Sequence, residues 1–134
     1  ARPAVFLAGG IGVTPFLCMA RHAAANRLPH RIVLFYSNRR PEDAAFLEEL
    51  RTLERSNPNY RLVPTMSEAE KSSRPWQGET GFIRPDMLKR YLIDLKTPIY
   101  YSAGPHAMTM SMELMLADLG VIEDDMRSEE FYGY

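Results

Sequence analysis

The chain alternates short apolar runs with stretches in which apolar residues recur every three or four positions. Val5-Phe6-Leu7-Ala8 has the length and unbroken apolarity of a strand covered on both faces. It runs into Gly9-Gly10-Ile11-Gly12, after which a helix is predicted from Pro15 to about Asn26, with Phe16, Met19, Ala20 and Ala23 at helical spacing. Ile32 to Tyr36 is the second strand. Pro41 opens a second helix whose inward stripe is Phe46, Leu47, Leu50 and Leu53, with Glu48, Glu49 and Arg51 facing water. Tyr60 to Pro64 reads as a third strand ended by its proline. Ser67 to Gly81 is polar and broken by Pro75 and Gly78, so a long loop is expected, of a kind often functional in compact domains. Arg84-Pro85 begins a helix reaching about Leu95, Ile99 to Ala103 is the fourth strand, and His106 to Leu119 is another helix. The tail, Met126 to Tyr134, supplies a short fifth strand.

Strands alternating with helices predict an α/β fold with a parallel sheet. At 134 residues the chain fits one domain with a core of its own. Its net charge of −1 gives no electrostatic footprint for nucleic acid or an anionic membrane. The single Cys18 excludes an internal disulfide and any four-thiolate metal or iron–sulfur site, and a reducing, cytoplasmic setting is expected. The uncharged run Val5 to Ala20 is too short and too interrupted by glycine and proline to span a bilayer, and no basic segment precedes it. The chain opens Ala-Arg-Pro and enters that run almost at once, so a segment of a longer protein is expected.

Candidate chemistry sits where strands end. Gly10-x-Gly12-x-x-Pro15 lies between a strand and a helix, with Thr14 as the expected N-cap and Pro15 at the first helical position. Glycines there let a ligand approach the backbone, and the free N–H groups of the helix start suit a pyrophosphate. The alternative is a plain glycine turn before a capped helix. Ala103-Gly104-Pro105 repeats the arrangement after the fourth strand, so the two turns can line one crevice. After the second strand come Ser37, Asn38, Arg39 and Arg40, where an NAD site usually carries an acid and an arginine accommodates a 2′-phosphate; a solvated basic turn is the other reading. Glu42 and Asp43 fall in the first turn of the next helix. His22, His30 and His106 lack ligand spacing, so no metal site is expected. Cys18 and the methionines at 108, 112 and 115 read as packing, and Trp76 as a local apolar anchor, with a lid over a ligand as the other reading. No nucleophile–base set is evident, so no catalytic residue is assigned.

Taken in order, Ala8-Gly9-Gly10-Ile11-Gly12-Val13-Thr14-Pro15, Phe35-Tyr36-Ser37-Asn38-Arg39, Ala103-Gly104-Pro105 and Glu129-Glu130-Phe131-Tyr132-Gly133-Tyr134 resemble the ferredoxin–NADP reductase family, in its C-terminal pyridine-nucleotide-binding domain. The resemblance covers essentially the whole chain. It implies a Rossmann-like three-layer domain on a five-stranded parallel sheet. It also implies pyrophosphate contacts at Gly10, Gly12, Thr14 and Pro15, adenosine contacts at Ser37, Asn38 and Arg39, and a nicotinamide beside Ala103, Gly104 and Pro105. Phe131, with Tyr134 second, would face a flavin (FAD or FMN). Many members carry Cys-Gly-Pro where this chain has Ala103-Gly104-Pro105, which bears on rate or nucleotide preference. The family's flavin domain, with its Arg-x-Tyr-Ser/Thr motif, precedes this one; the motif does not occur here, so a flavin-binding domain is expected upstream in the same protein.

The function so implied is hydride transfer from NADPH or NADH to the flavin, and onward transfer of single electrons to an iron–sulfur or haem acceptor. Arg39 and Ser37 lean it toward NADPH. The rivals are a nucleotide-sensing module without turnover and an electron-transfer subunit serving a separate flavoprotein.

Overall fold

In the computed structural model, which describes residues 2–131 with side chains through Glu129, every strand run is arranged in one parallel sheet. The strands are β1 (Ala4–Gly9), β2 (Ile32–Asn38), β3 (Tyr60–Met66), β4 (Glu79–Thr80), β5 (Ile99–Pro105) and β6 (Met126–Phe131), in the order β4-β3-β2-β1-β5-β6. Four helices connect them: α1 (Thr14–Ala25), α2 (Leu47–Ser56), α3 (Pro85–Tyr91) and α4 (His106–Asp118).

Alternation along each strand sends side chains to opposite faces, and both faces are apolar. Ala4, Phe6, Ala8, Leu34 and Leu62 meet Phe16, Leu17 and Ala20 of α1 and Leu47 and Leu50 of α2. Val5, Leu7, Phe35, Val63 and Tyr100 meet Met87 and Leu88 of α3 and Met112 and Leu116 of α4. The result is the expected three-layer α/β domain. Phe6 stacks on Phe16 with ring centroids 4.5 Å apart, fixing α1 on the sheet directly above β1.

The sheet has six strands where five are expected. The extra one, β4, lies inside the expected Ser67–Gly81 loop and is only two residues long, too short to leave a periodic signal. It is held by pairing of Thr65 and Met66 with Glu79 and Thr80, and by the Trp76 indole, which donates to the Glu79 carbonyl at 2.7 Å. Trp76 is therefore the anchor it was expected to be, half-buried against the α1/α2 side with the Arg51 guanidinium 5.8 Å from its ring centroid. Pro64 does not end β3. Outward pairing begins only at Thr65, so most of β3 is an edge, where a proline's missing N–H costs nothing.

Helix boundaries shift for equally local reasons. After Pro41 the chain makes only a 3-10 turn, Pro41–Asp43, and α2 begins at Leu47 after Phe46 adopts a left-handed φ of 61°. That break turns Phe46 out to solvent and removes it from the inward stripe, and it leaves Glu42 and Asp43 outside α2. α3 stops at Tyr91, short of Leu95. On α1 the buried face is Phe16, Leu17, Ala20 and Ala23, so Met19, expected on that face, and Cys18, expected as packing, face outward. Met112 is buried and Met108 and Met115 pack beside it, as expected. Among the described residues, no helix is long and apolar enough to cross a membrane.

Candidate functional site

Strand order reverses beside β1. The chain moves outward through β2, β3 and β4, then returns to β5 on the other flank of β1. In an open parallel sheet such a reversal leaves a crevice at the carboxyl ends of the two strands on either side of it, and ligands bind there. The ends of β1 and β5 carry the two turns singled out from sequence, adjacent because Ala8 pairs with Ala103.

The turns interlock through backbone. A Cβ on Gly12 would lie 2.3 Å from the Ala103 carbonyl oxygen and 2.8 Å from the Gly104 Cα, so only glycine allows this approach. Gly10 has a φ of +56°, and a Cβ there would meet nothing within 4 Å. The loop is thus locked on the sheet side at Gly12 and open on the other side at Gly10. It is a 3-10 turn, Gly10–Val13, that leads without interruption into α1.

Thr14 departs from its expected capping role. It is the first residue of α1 with helical φ and ψ, and its hydroxyl donates to the Ile11 carbonyl at 3.0 Å. The continuous 3-10 turn has already bonded its N–H, which leaves no non-helical position for a cap. Pro15 follows inside the first turn of α1. Neither α1 nor α4 has an acidic residue in its own first turn, and both helices start at the carboxyl edge of the sheet, where their positive dipole ends lie.

Ser37 and Asn38 end β2, and Arg39 follows it on the same carboxyl edge. Asn38 is buried, with its side chain beside the Tyr36 hydroxyl. Arg39 is the opposite, with 80% of its side chain exposed and its Nε 3.7 Å from Glu68 Oε2. Glu68 lies in the loop after β3, which is stitched to the loop after β2: Ser67 N–H donates to the Asn38 carbonyl and Glu68 N–H to the Arg39 carbonyl. Farther out, Glu42 accepts hydrogen bonds from the Ser72 hydroxyl at 2.6 Å and from the Ser73 N–H at 3.2 Å. The Ser72 hydroxyl first, with backbone N–H groups and Arg40 adding to it, pulls the Glu42 carboxyl down to about 2. Glu68 is lowered by Lys71, then by Arg39 and Arg40.

Ala103, Gly104 and Pro105 form the last residues of β5, the first two buried and Pro105 half-buried. Phe131 closes β6 opposite Pro105 by backbone pairing, and its side chain and Tyr134 lie outside the described portion. The structure therefore brings the β1 and β5 turns together and sets Ser37–Arg39 one strand away on the same edge. Sequence reasoning missed Glu68, because its relation to Arg39 comes from the pairing of β2 with β3. Glu–Lys spacing at 68 and 71 was visible, but it signals only a local ion pair.

The chemistry this edge can perform is binding. Every carboxylate with a displaced titration among the described residues moves downward, so none is held protonated as a general acid. No group of three or more metal-ligating side chains occurs among the described residues. Two surface hollows lie away from the crevice. One of about 470 Å³ is at the amino ends of β2 and β3, lined by Val33, Arg61 and Tyr91; the other, about 440 Å³, is flanked by Phe46 and Trp76.

Comparison with known proteins agrees with this geometry. The oxidoreductase NAD-binding domain family matches residues 6–113. A component of the Na(+)-translocating NADH-quinone reductase of Pseudomonas aeruginosa is 31% identical over 96% of this chain, which spans 32% of that protein. The chain thus covers about a third of the curated relatives it matches. Among solved structures, the cytochrome b5 reductase domain of Ulva prolifera nitrate reductase superposes with a TM-score of 0.80 at 25% identity, covering 96% of this chain and 50% of that one. The flavohemoglobin of Malassezia yamatoensis, with bound FAD and heme, shares the fold with a TM-score of 0.83 at 21% identity, covering 97% of this chain and 32% of that one. With its glycine turn, parallel sheet and switch-point crevice inside the matched span, the chain belongs to the oxidoreductase NAD-binding domain family.

Proposed function

We propose that this chain is the nucleotide-binding lobe of a flavin-dependent NAD(P)H oxidoreductase whose flavin is held by another domain of the same protein. The observation that carries this reading is the interlock of Gly12 with Ala103 and Gly104 at the switch point, with open space left over Gly10. That geometry fits a dinucleotide: backbone N–H groups at Gly10–Thr14 take the pyrophosphate, and Pro15 holds α1 in line behind them. Ala103, Gly104 and Pro105, at the end of β5, take the nicotinamide ring. Ser37, Asn38 and Arg39, at the carboxyl end of β2, take the adenosine ribose. Phe131 lies at the end of β6 nearest that surface and is assigned to the flavin side.

When bound, the nicotinamide supplies a hydride and the flavin takes it up; that chemistry belongs to the cofactors. The chain's own residues orient the ring, neutralise phosphate charge with helix dipoles and keep side chains out of its way. Onward electron transfer goes to an iron–sulfur or haem acceptor. A cytoplasmic location accords with the free thiol of Cys18.

Titration of ¹⁵N-labelled protein with NADH tests the assignment. Shifts gathered at Gly10, Gly12, Thr14, Ala103 and Gly104 are expected, with a second group at Ser37–Arg39. Shifts confined to the hollow beside Val33 and Tyr91 would overturn it. For the flavin part, the full-length protein should purify with bound flavin that NADH or NADPH bleaches anaerobically. A full-length protein without flavin would favour a sensing module.

A further inference from the structure

Gly9, the last residue of β1, has a φ of −123° and a ψ of 124°, extended backbone that any residue adopts. Lack of room is what demands a glycine there. A Cβ on Gly9 would lie 2.2 Å from the Sδ of Met108 and 3.7 Å from the Cδ of Pro105. Gly104 has the same neighbour: its Cβ would lie 3.0 Å from Met108 Sδ and 3.3 Å from the Gly9 carbonyl oxygen. Alternation along the strands explains the meeting. Leu7 of β1 and Tyr100 of β5 face α3 and α4, so Gly9 and Gly104, two and four residues further on, face them too. The two glycines leave a slot between the strand ends, and Met108, in the first turn of α4, fills it. The end of β5 is thus held twice, by the backbone of the Gly12 turn and by one thioether.

We infer that Met108 is a positioning residue for the nicotinamide, fixing Gly104 and Pro105 against the end of β1 through this slot. This rests on the nicotinamide assignment proposed above. Methionine suits the task because its side chain is unbranched and slender at the sulfur, so it enters a gap too narrow for a branched end. Without the thioether the slot stays empty, since packed surroundings close only partly on a lost side chain, and the β5 turn gains freedom to move toward α4. A hydride donor tolerates little of that, because a misplacement of about 1 Å can cost roughly a hundredfold.

The test compares NADH with ADP-ribose, which lacks the nicotinamide ring, by calorimetric titration of this chain and its variants. The wild type should bind NADH more tightly. Met108→Ala should cut NADH affinity about tenfold and leave ADP-ribose within about threefold, because Gly12 still holds the pyrophosphate turn. Met108→Leu, of similar volume, should keep the wild-type ratio. Gly9→Ala should lower the ratio as Met108→Ala does. The double variant Gly9→Ala/Met108→Ala should recover it to within about threefold of wild type, since the new methyl takes the space that the thioether left. A lowered thermal midpoint would follow from any loss of packing; a changed ratio of the two ligands would not. Losses that fall equally on both ligands, or that add in the double variant, overturn the role of Met108 and leave the nicotinamide site standing. A wild type that binds NADH no more tightly than ADP-ribose overturns the nicotinamide assignment itself, and the inference with it.

Discussion

The crevice between β1 and β5 and the edge beyond β2 and β3 are built by different means. At the crevice the fit is steric: Gly12 lies against the backbone of Ala103 and Gly104. At the outer edge the fit is electrostatic, made by Arg39, Arg40, Glu42, Asp43, Glu68 and Lys71 on two adjoining loops. Backbone contact at a strand end tolerates almost no change, because neither partner can yield. Exposed ion pairs tolerate a great deal, because each is worth little and water replaces it. A fold built this way keeps one end of a dinucleotide constant and leaves the other end adjustable.

The largest expected effect is therefore at Gly12. Gly12→Val forces a branched side chain into space already filled by the Ala103 carbonyl, and overpacking of this kind costs about 3 kcal/mol. A domain with a stability of roughly 5–15 kcal/mol survives that loss, so far-ultraviolet circular dichroism should remain native while NADH binding disappears. Gly12→Ala should show the same order at smaller scale. Native affinity in either variant would mean that the loop is not pinned to β5. Gly10 separates sterics from conformation. Its Cβ would meet open space, so Gly10→Ala should cost only the left-handed penalty of about 1 kcal/mol, read as a lowered thermal midpoint.

At the outer edge the expected pattern inverts. Arg39→Ala should leave the thermal midpoint unchanged within error, since the side chain is mostly in water and its ion pair is long. It should also shift the ratio of 5′-AMP to 2′,5′-ADP affinity toward 5′-AMP by only about two- to fivefold, because the exposed pair is worth little and its loss leaves Glu68 less neutralised. A loss of 2′,5′-ADP binding well beyond that range would show that Arg39 reads the phosphate directly.

The same contrast explains what was legible in the sequence. Strand runs, the glycine turn and Ala103-Gly104-Pro105 were readable because they record backbone demands, which fall on the residues that meet them. β4 was not, since two residues have no periodicity and its place depends on Trp76 and Thr65. Phe46 was misplaced because periodicity assumes an unbroken helix, and one left-handed residue ends that assumption. Thr14 was given a cap's role from its type and position, while the preceding 3-10 turn decided otherwise. Glu68 was missed for a deeper reason. Its meaning is a pairing across strands, and no local pattern of residues records which loop lies beside which.

Glu42 offers the smallest effect and the sharpest check on the charged edge. Its carboxylate ties the 3-10 turn after β2 to Ser72 and Ser73 beyond β3, and those hydrogen bonds hold its titration at about 2, below the ordinary 4.5. A carboxyl lowered on folding favours the folded state when ionised. Its contribution is full above the ordinary value and is lost as pH falls from there toward 2. Glu42→Gln should thus reduce the urea midpoint by a fixed small amount from pH 7 to pH 5. The gap between variant and wild type should narrow below pH 4.5 and close near pH 2, even as both proteins lose stability through their other acids. A gap that persists unchanged down to pH 3 would mean that the tie is made by shape, with the charge contributing nothing. The two binding regions would then differ less in kind than their side chains suggest.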